Sequence, residues 1–147
     1  MKRRSLTFLG VAALGACTGP EVKEREAAAQ FGQVARLVSE FAIREQRLPR
    51  NFDELFAANG SNRSLLISPL AADRSKPSYE LLLPGTPISE IRSLSRVVVL
   101  RSLVTTKRGE RLVGFLDGHS EWVADSDLQK GEGLLREDVL LARSRRN

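Results

Sequence analysis

The sequence predicts an α+β fold: one long N-terminal helix packed on an antiparallel four-stranded meander, with a short second helix and a C-terminal helix. Three observations carry this. Apolar residues from Phe31 to Leu48 recur at helical spacing. Beyond Tyr79 the apolar residues fall into short runs parted by turn residues. Asp117-Gly118 then joins two such runs, a strong hairpin signal because both residues tolerate positive φ.

The first helix is expected from Glu21 or Glu24 to Arg47. Phe31, Val34, Ala35, Leu37, Val38, Phe41, Ala42 and Leu48 share one face; Gln33, Arg36, Glu40, Arg44 and Arg47 take the other. Pro49 ends it, because the residue before proline avoids helical backbone. Asn51 caps a second helix, with Glu54 at the capping-box position and Leu55 and Phe56 as its apolar contacts. Asn59-Gly60 stops that helix. Residues 61–78 read mainly as loop, with Leu65, Leu66 and Ile67 partly buried.

Four strands follow: Tyr79 to Leu83, Arg96 to Val104, Arg111 to Leu116, and His119 to Ala124. Val97 to Leu100 is apolar on both alternating faces, which suits an interior strand. A two-residue loop at Asp117-Gly118 sets Leu116 opposite His119 and Val113 opposite Trp122. It places Val113, Phe115, Ser120 and Trp122 on the face toward the helix. The expected core is therefore Phe31, Val38, Phe41, Phe115 and Trp122. A last helix is expected from Leu134 to about Arg143.

The N-terminus carries a different message. Lys2-Arg3-Arg4 precedes a short apolar run that ends Leu14-Gly15-Ala16-Cys17. A basic segment, an apolar segment and small residues at the cut make a secretory signal. The run from Ser5 to Ala16 is shorter than the 20 or so residues a spanning helix needs. The segment also resembles the bacterial lipobox, in which the cysteine becomes the lipid-modified first residue of the mature protein. That resemblance divides the chain into a lipoprotein signal peptide at 1–16, a lipidated tether at 17–25 and a domain at 26–147. Acyl chains such as palmitate on Cys17 would anchor the protein by burying methylenes at about 0.8 kcal/mol each. Thr18 in the second mature position implies the outer membrane, where aspartate would imply the inner one.

Removing the signal takes away Lys2, Arg3 and Arg4 and leaves 20 cations against 18 anions. So small an excess does not point to nucleic acid, and no basic patch is interleaved with aromatics. Cys17 is the only cysteine, so no internal disulfide is available.

Two stretches resemble the pseudopilins of type II secretion. Phe41-Ala-Ile-Arg-Glu-Gln-Arg-Leu-Pro49-Arg-Asn-Phe-Asp-Glu-Leu55 resembles the end of their long helix, the corner that follows and the short helix beyond. Val113-Gly-Phe-Leu-Asp117-Gly118-His119-Ser-Glu-Trp122-Val123 resembles the C-terminal Asp-Gly-His hairpin of a pseudopilin-like group. The resemblance spans about half of the mature chain and implies a pilin-like fold. It does not extend to filament assembly. Pseudopilins begin with a methylated phenylalanine and a long apolar helix, whereas here Glu21, Lys23, Glu24, Arg25 and Glu26 follow Cys17.

Asp117, His119 and Ser120 invite a hydrolase reading, but successive strand residues point to opposite faces, so His119 and Ser120 cannot share a hydrogen bond. There is no G-x-S-x-G elbow. One histidine and no free thiol leave only oxygen donors for a metal, and a calcium site from Asp117 with Asp125 or Asp127 has no EF-hand spacing behind it. The sequence implies no catalysis, no cofactor and no metal. It implies an envelope lipoprotein facing the periplasm, held to the membrane through Cys17 and working through an envelope protein partner; the resemblance implies either an accessory of a secretion or pilus-like apparatus or a repurposed domain with unrelated partners. The competing expectation is a small periplasmic lipoprotein that holds a ligand or cation at the Asp117–Gly118–His119 turn. A structural role for the turn predicts that Trp122→Ala destabilises the domain while His119→Ala is nearly neutral.

Overall fold

The computed structural model of the protein describes residues 19–60 and 62–126. Cys17, the signal segment and the helix expected from Leu134 to Arg143 lie outside the described residues.

The first helix, α1, runs Pro20–Glu45. It starts inside the stretch read from sequence as a tether. Gly19 is its extended N-cap and Pro20 occupies the first turn, where the missing N–H costs nothing and the fixed φ is already helical. Glu21 adds a favourable charge at the dipole's positive end. The helix stops two residues earlier than expected, at Gln46, which takes the left-handed conformation at φ 56°. Its side-chain amide donates to the Ile43 carbonyl at 2.7 Å, satisfying one of the last helical acceptors.

The corner after α1 is stapled to a distant segment. Leu48 N–H donates to Thr86 O at 2.8 Å, Ile88 N–H to Gln46 O at 3.0 Å, and Gly85 N–H to Pro49 O at 3.2 Å. The second helix, α2, spans Phe52–Asn59. Asn51 caps it by accepting from Glu54 N–H at 2.8 Å. The Glu54 carboxylate reaches back one residue further than a capping box requires, to Arg50 N–H at 2.8 Å. Gly60, at φ 62°, closes the helix by donating to Phe56 O.

The strands are β1 (Tyr79–Leu81), β2 (Val98–Thr105), β3 (Glu110–Phe115) and β4 (Ser120–Ala124). They form one antiparallel sheet in the order β1-β2-β3-β4, so the fold is α+β with a meander, and β2 is interior. Between Val98 and Leu100 the β2–β3 register shifts, with Val98 opposite Phe115 and Leu100 opposite Gly114. An extra residue there explains how four consecutive apolar residues, Val97 to Leu100, are all buried.

α1 lies along the sheet on the Gly114 side. A Cβ on Gly114 would meet Ala35 and Phe31 of the helix and Leu100 of β2. Phe31, Val38 and Phe41 are buried, as is Phe115. Tyr79 meets Phe31 edge to face, ring centroids 5.2 Å apart. Burial pushes the Tyr79 phenol up to about 12. Gln30 ties the next segment to the helix: its amide donates to Leu65 O at 2.9 Å and to Ile67 O at 2.6 Å.

The hairpin differs from the sequence reading by one residue. Gly114 faces Ser120, Val113 faces Glu121 and Leu112 faces Trp122. The loop is three residues long, Leu116, Asp117 and Gly118. Gly118 N–H donates to Phe115 O at 2.9 Å and Phe115 N–H to His119 O at 2.9 Å, with Gly118 at φ 93°. That is a type I turn closed by a glycine bulge, which an Asp-Gly pair suits as well as a two-residue loop. The slip moves Leu112 to the helix-facing side with Gly114, Ser120 and Trp122. It moves Val113 and Phe115 to the other face. Both are nevertheless buried, in one cluster with Val97, Val98 and the partly buried Ile88, Ile91 and Val123. Trp122 is only half-buried, because β4 is an edge strand.

Candidate functional site: the Asp117–Gly118–His119 turn

The turn is flanked on two sides. Leu116 N–H donates to Val97 O and Asp117 N–H to Leu94 O, each at 3.0 Å, which docks the loop on the segment before β2. Behind it stands α1. A Cβ on Gly118 would lie 3.5 Å from Ser39 Cβ and 3.8 Å from Arg36 Cα. Ser39 is itself buried. The positive φ of 93° accounts for the glycine, since these distances are ordinary contacts that a Cβ would tolerate.

Asp117 organises the loop from inside. Its Oδ1 accepts His119 N–H at 3.1 Å and also meets His119 Nδ1. The other ring nitrogen, Nε2, lies 3.4 Å from Glu121 Oε1. The imidazole plane stacks on Phe115, centroids 4.2 Å apart and planes 2° off parallel. His119 therefore has a carboxylate at each nitrogen and an aromatic ring against one face. Its side chain remains 40% exposed, and those of Asp117 and Glu121 are 36% and 57% exposed, so all three can meet a partner.

Ser120 is on the opposite face, with its Oγ 3.8 Å from where a Cβ on Gly32 of α1 would stand. It does not join His119. The two carboxylates approach different nitrogens of one ring, which suits a charged, hydrogen-bonding surface and not a single chelate. Among the described residues no group of three or more His, Cys, Asp or Glu is placed to hold a metal ion. Asp125 is engaged elsewhere, accepting from Arg111 Nε at 2.9 Å, and that arginine also donates to Ser102 O.

Sequence reasoning found Asp117, Gly118 and His119 but missed Phe115 and Glu121 as their neighbours. The Phe115 omission follows from the register; Glu121 shares a strand face with His119 in either register, and its approach to the imidazole was not drawn from that. With Phe115 opposite His119, Phe115 joins the face that His119 and Glu121 share; with Leu116 opposite His119 it would not. No local sequence signal separates the two loop lengths: Leu116 is 2% exposed and its N–H donates to Val97 O, which places it in the loop through a tertiary contact.

At the other end of the hairpin a shallow cavity of about 420 Å³ opens beside the start of α1, lined by Pro20, Lys23, Glu24, Leu70, Thr105 and Lys107 among others. Its charges are mixed, and Arg108 already pairs with Glu24 at 3.1 Å. No helix among the described residues is long and apolar enough to cross a membrane.

Comparison with protein-family models, with curated proteins and with solved structures finds no match to this chain.

Proposed function

We propose that the protein is a lipid-anchored component of the bacterial cell envelope. Its domain is pilin-like, resembles the pseudopilins of type II secretion, and acts by protein–protein contact as an accessory of a secretion or pilus-like apparatus. One observation supports the pilin-like reading above others. A 26-residue helix lies along a four-stranded antiparallel meander, then turns at Leu48-Pro49 into a short capped helix. This is the order of elements that the two sequence resemblances imply. The exposed Asp117–His119 turn, hydrogen-bonded to the segment before β2, offers a polar surface for a partner. Acylation of Cys17 supplies the anchor, with the domain facing the periplasm, and the charged start of α1 keeps the helix out of a filament core.

The test is the intact mass of the N-terminal peptide from protein extracted from native membranes. A diacyl- or triacyl-modified Cys17 is the expected result, with crosslinking from Asp117 and Glu121 positions to an envelope protein. An unmodified Cys17, or a mature terminus elsewhere, overturns the anchor.

A second reading, a ligand-binding periplasmic lipoprotein, draws on one observation: Asp117, His119 and Glu121 are all exposed around one imidazole. It predicts that His119→Ala abolishes ligand binding while folding persists.

A further inference from the structure

We infer that the outer edge of β4 is a self-association surface, on which a second copy of this chain pairs antiparallel about a two-fold axis at Trp122. The hydrogen-bond pattern shows which groups are on offer. His119 O accepts from Phe115 N–H, and Asp125 N–H donates to Gly109 O, so the odd-numbered residues 119 to 125 bond inward to β3. Ser120, Trp122 and Ala124 therefore direct their N–H and C=O groups away from the sheet. Among the described residues nothing meets them.

The two edges of the sheet are not alike. β1 is three residues long and flanked by Pro77 and Pro84, a blunted edge. β4 pairs with β3 in unbroken register over five residues and contains no proline, lysine or bulge. It is the edge that can still take a strand.

The strand is self-complementary in one register, and charge selects it. A two-fold centred on Glu121 sets Glu121 opposite its own copy, and one centred on Val123 sets Glu121 opposite Asp125; like charges directly opposed are destabilising. Centring on Trp122 avoids both. Glu121 then faces Val123 of the second copy, Ser120 faces Ala124, and His119 is carried toward Asp125, an opposite-charge neighbour when the imidazole is protonated. This register also uses the whole strand, so Ser120, Trp122 and Ala124 of each copy all pair. The two half-buried tryptophans meet on the helix-facing side and gain the cover that an edge strand lacks. The result is one continuous eight-stranded sheet.

The test uses the full chain with Cys17→Ser, so that introduced thiols are the only ones and lipid plays no part. Glu121→Cys and Val123→Cys are made in separate chains. Opposite one another in a non-hydrogen-bonded pair their Cα atoms stand about 4.5 Å apart, within disulfide range. Two copies of either variant alone place the thiols on a diagonal of about 7–8 Å, beyond it. Oxidation of the mixture is expected to give the mixed disulfide dimer in large excess over either variant alone. No dimer from the mixture, or equally ready crosslinking of Glu121→Cys alone, overturns the proposal. Ala124→Pro is the second arm. Its lost N–H points outward, so the β3 ladder is kept, and sedimentation is expected to change from dimer to monomer while the circular dichroism spectrum holds. A dimer that persists in folded Ala124→Pro overturns the proposal; where that variant does not fold, the crosslink decides. A wild-type chain that sediments as a monomer, as it would if residues 127–147 or another protein covered β4, overturns it as well.

Discussion

The imidazole of His119 lies flat on the ring of Phe115, 4.2 Å between centroids. A stacked pair of this kind is worth about 0.5–1.5 kcal/mol beyond the area it buries. The same imidazole is held by Asp117. His119→Ala is therefore expected to destabilise the domain by about 1 kcal/mol, in place of the near-neutral effect that the sequence predicts. His119→Phe restores the stack and should recover more than half of the loss. Urea midpoints of the three proteins decide this. Equal midpoints for wild type and His119→Ala would show that the stack contributes nothing.

Gly114 sits where the helix and sheet come closest. A Cβ there would lie 3.1 Å from Ala35 Cβ, 3.2 Å from Leu100 Cβ and 3.2 Å from Phe31 Cε1. Two of those atoms are fixed to backbone and cannot swing aside. Gly114→Ala is expected to cost about 1–3 kcal/mol, the range for overpacking a filled core. The ordinary gain from replacing a strand glycine should not offset it. Chemical denaturation measures the sum, and a variant as stable as wild type would mean that α1 can lift from β3 at no cost.

These two cases show where sequence was legible. The α1 face from Phe31 to Ala42 could be read because a helical period survives small errors at either end. Asn51, Glu54 and Gly60 could be read because caps are local. The start at Pro20 lies one residue before the earlier expected start, Glu21, and inside the polar stretch read as a tether, although proline in a first turn marks a helix start. The hairpin was misread because Asp-Gly serves two loop lengths, and a one-residue slip exchanges every side chain between faces. The site inherited that error. His119 was identified, but its stack on Phe115 depends on a register that only tertiary contacts of Leu116 and Asp117 with the 94–97 segment fix. The β2 bulge is hidden for a similar reason, since Val97 to Leu100 is apolar throughout and shows no break in pattern.

Trp122 is a graded case. It packs beside the cluster of Phe31, Val34 and Leu112 yet stays half-buried at the sheet edge. Full-core truncations of large aromatics cost about 3–5 kcal/mol, and Phe41, 2% exposed, should fall in that range when changed to alanine. In the Ala124→Pro background, where the β4 edge is unpaired, Trp122→Ala should cost roughly 2 kcal/mol, less because its side chain keeps water on one side. Parallel denaturation of Phe41→Ala and Trp122→Ala checks the order. A larger loss at Trp122 than at Phe41 in that background would mean that the β4 edge is covered from within the chain.

Glu54 gives the domain an acid limit. Arg47 and the Arg50 N–H hold its carboxyl at about 2, below the ordinary 4.5, the ion pair with Arg47 being the larger cause. Because the folded value is the depressed one, the stabilisation is complete above pH 4.5 and fades as pH falls toward 2. Arg47 also lies over the Phe41 ring at 5.3 Å, so the pair fixes the corner between α1 and α2. Glu54→Gln removes the charge but keeps a carbonyl oxygen that can accept from Arg50 N–H. The melting temperature of Glu54→Gln should lie below wild type at pH 6, and the two should converge as pH drops from about 4.5 to 2. Asp73, lowered by its bonds to Ser75, titrates in both proteins and so cancels in the difference. A gap that stays constant across this range would assign the effect of Glu54 to shape and not to its charge.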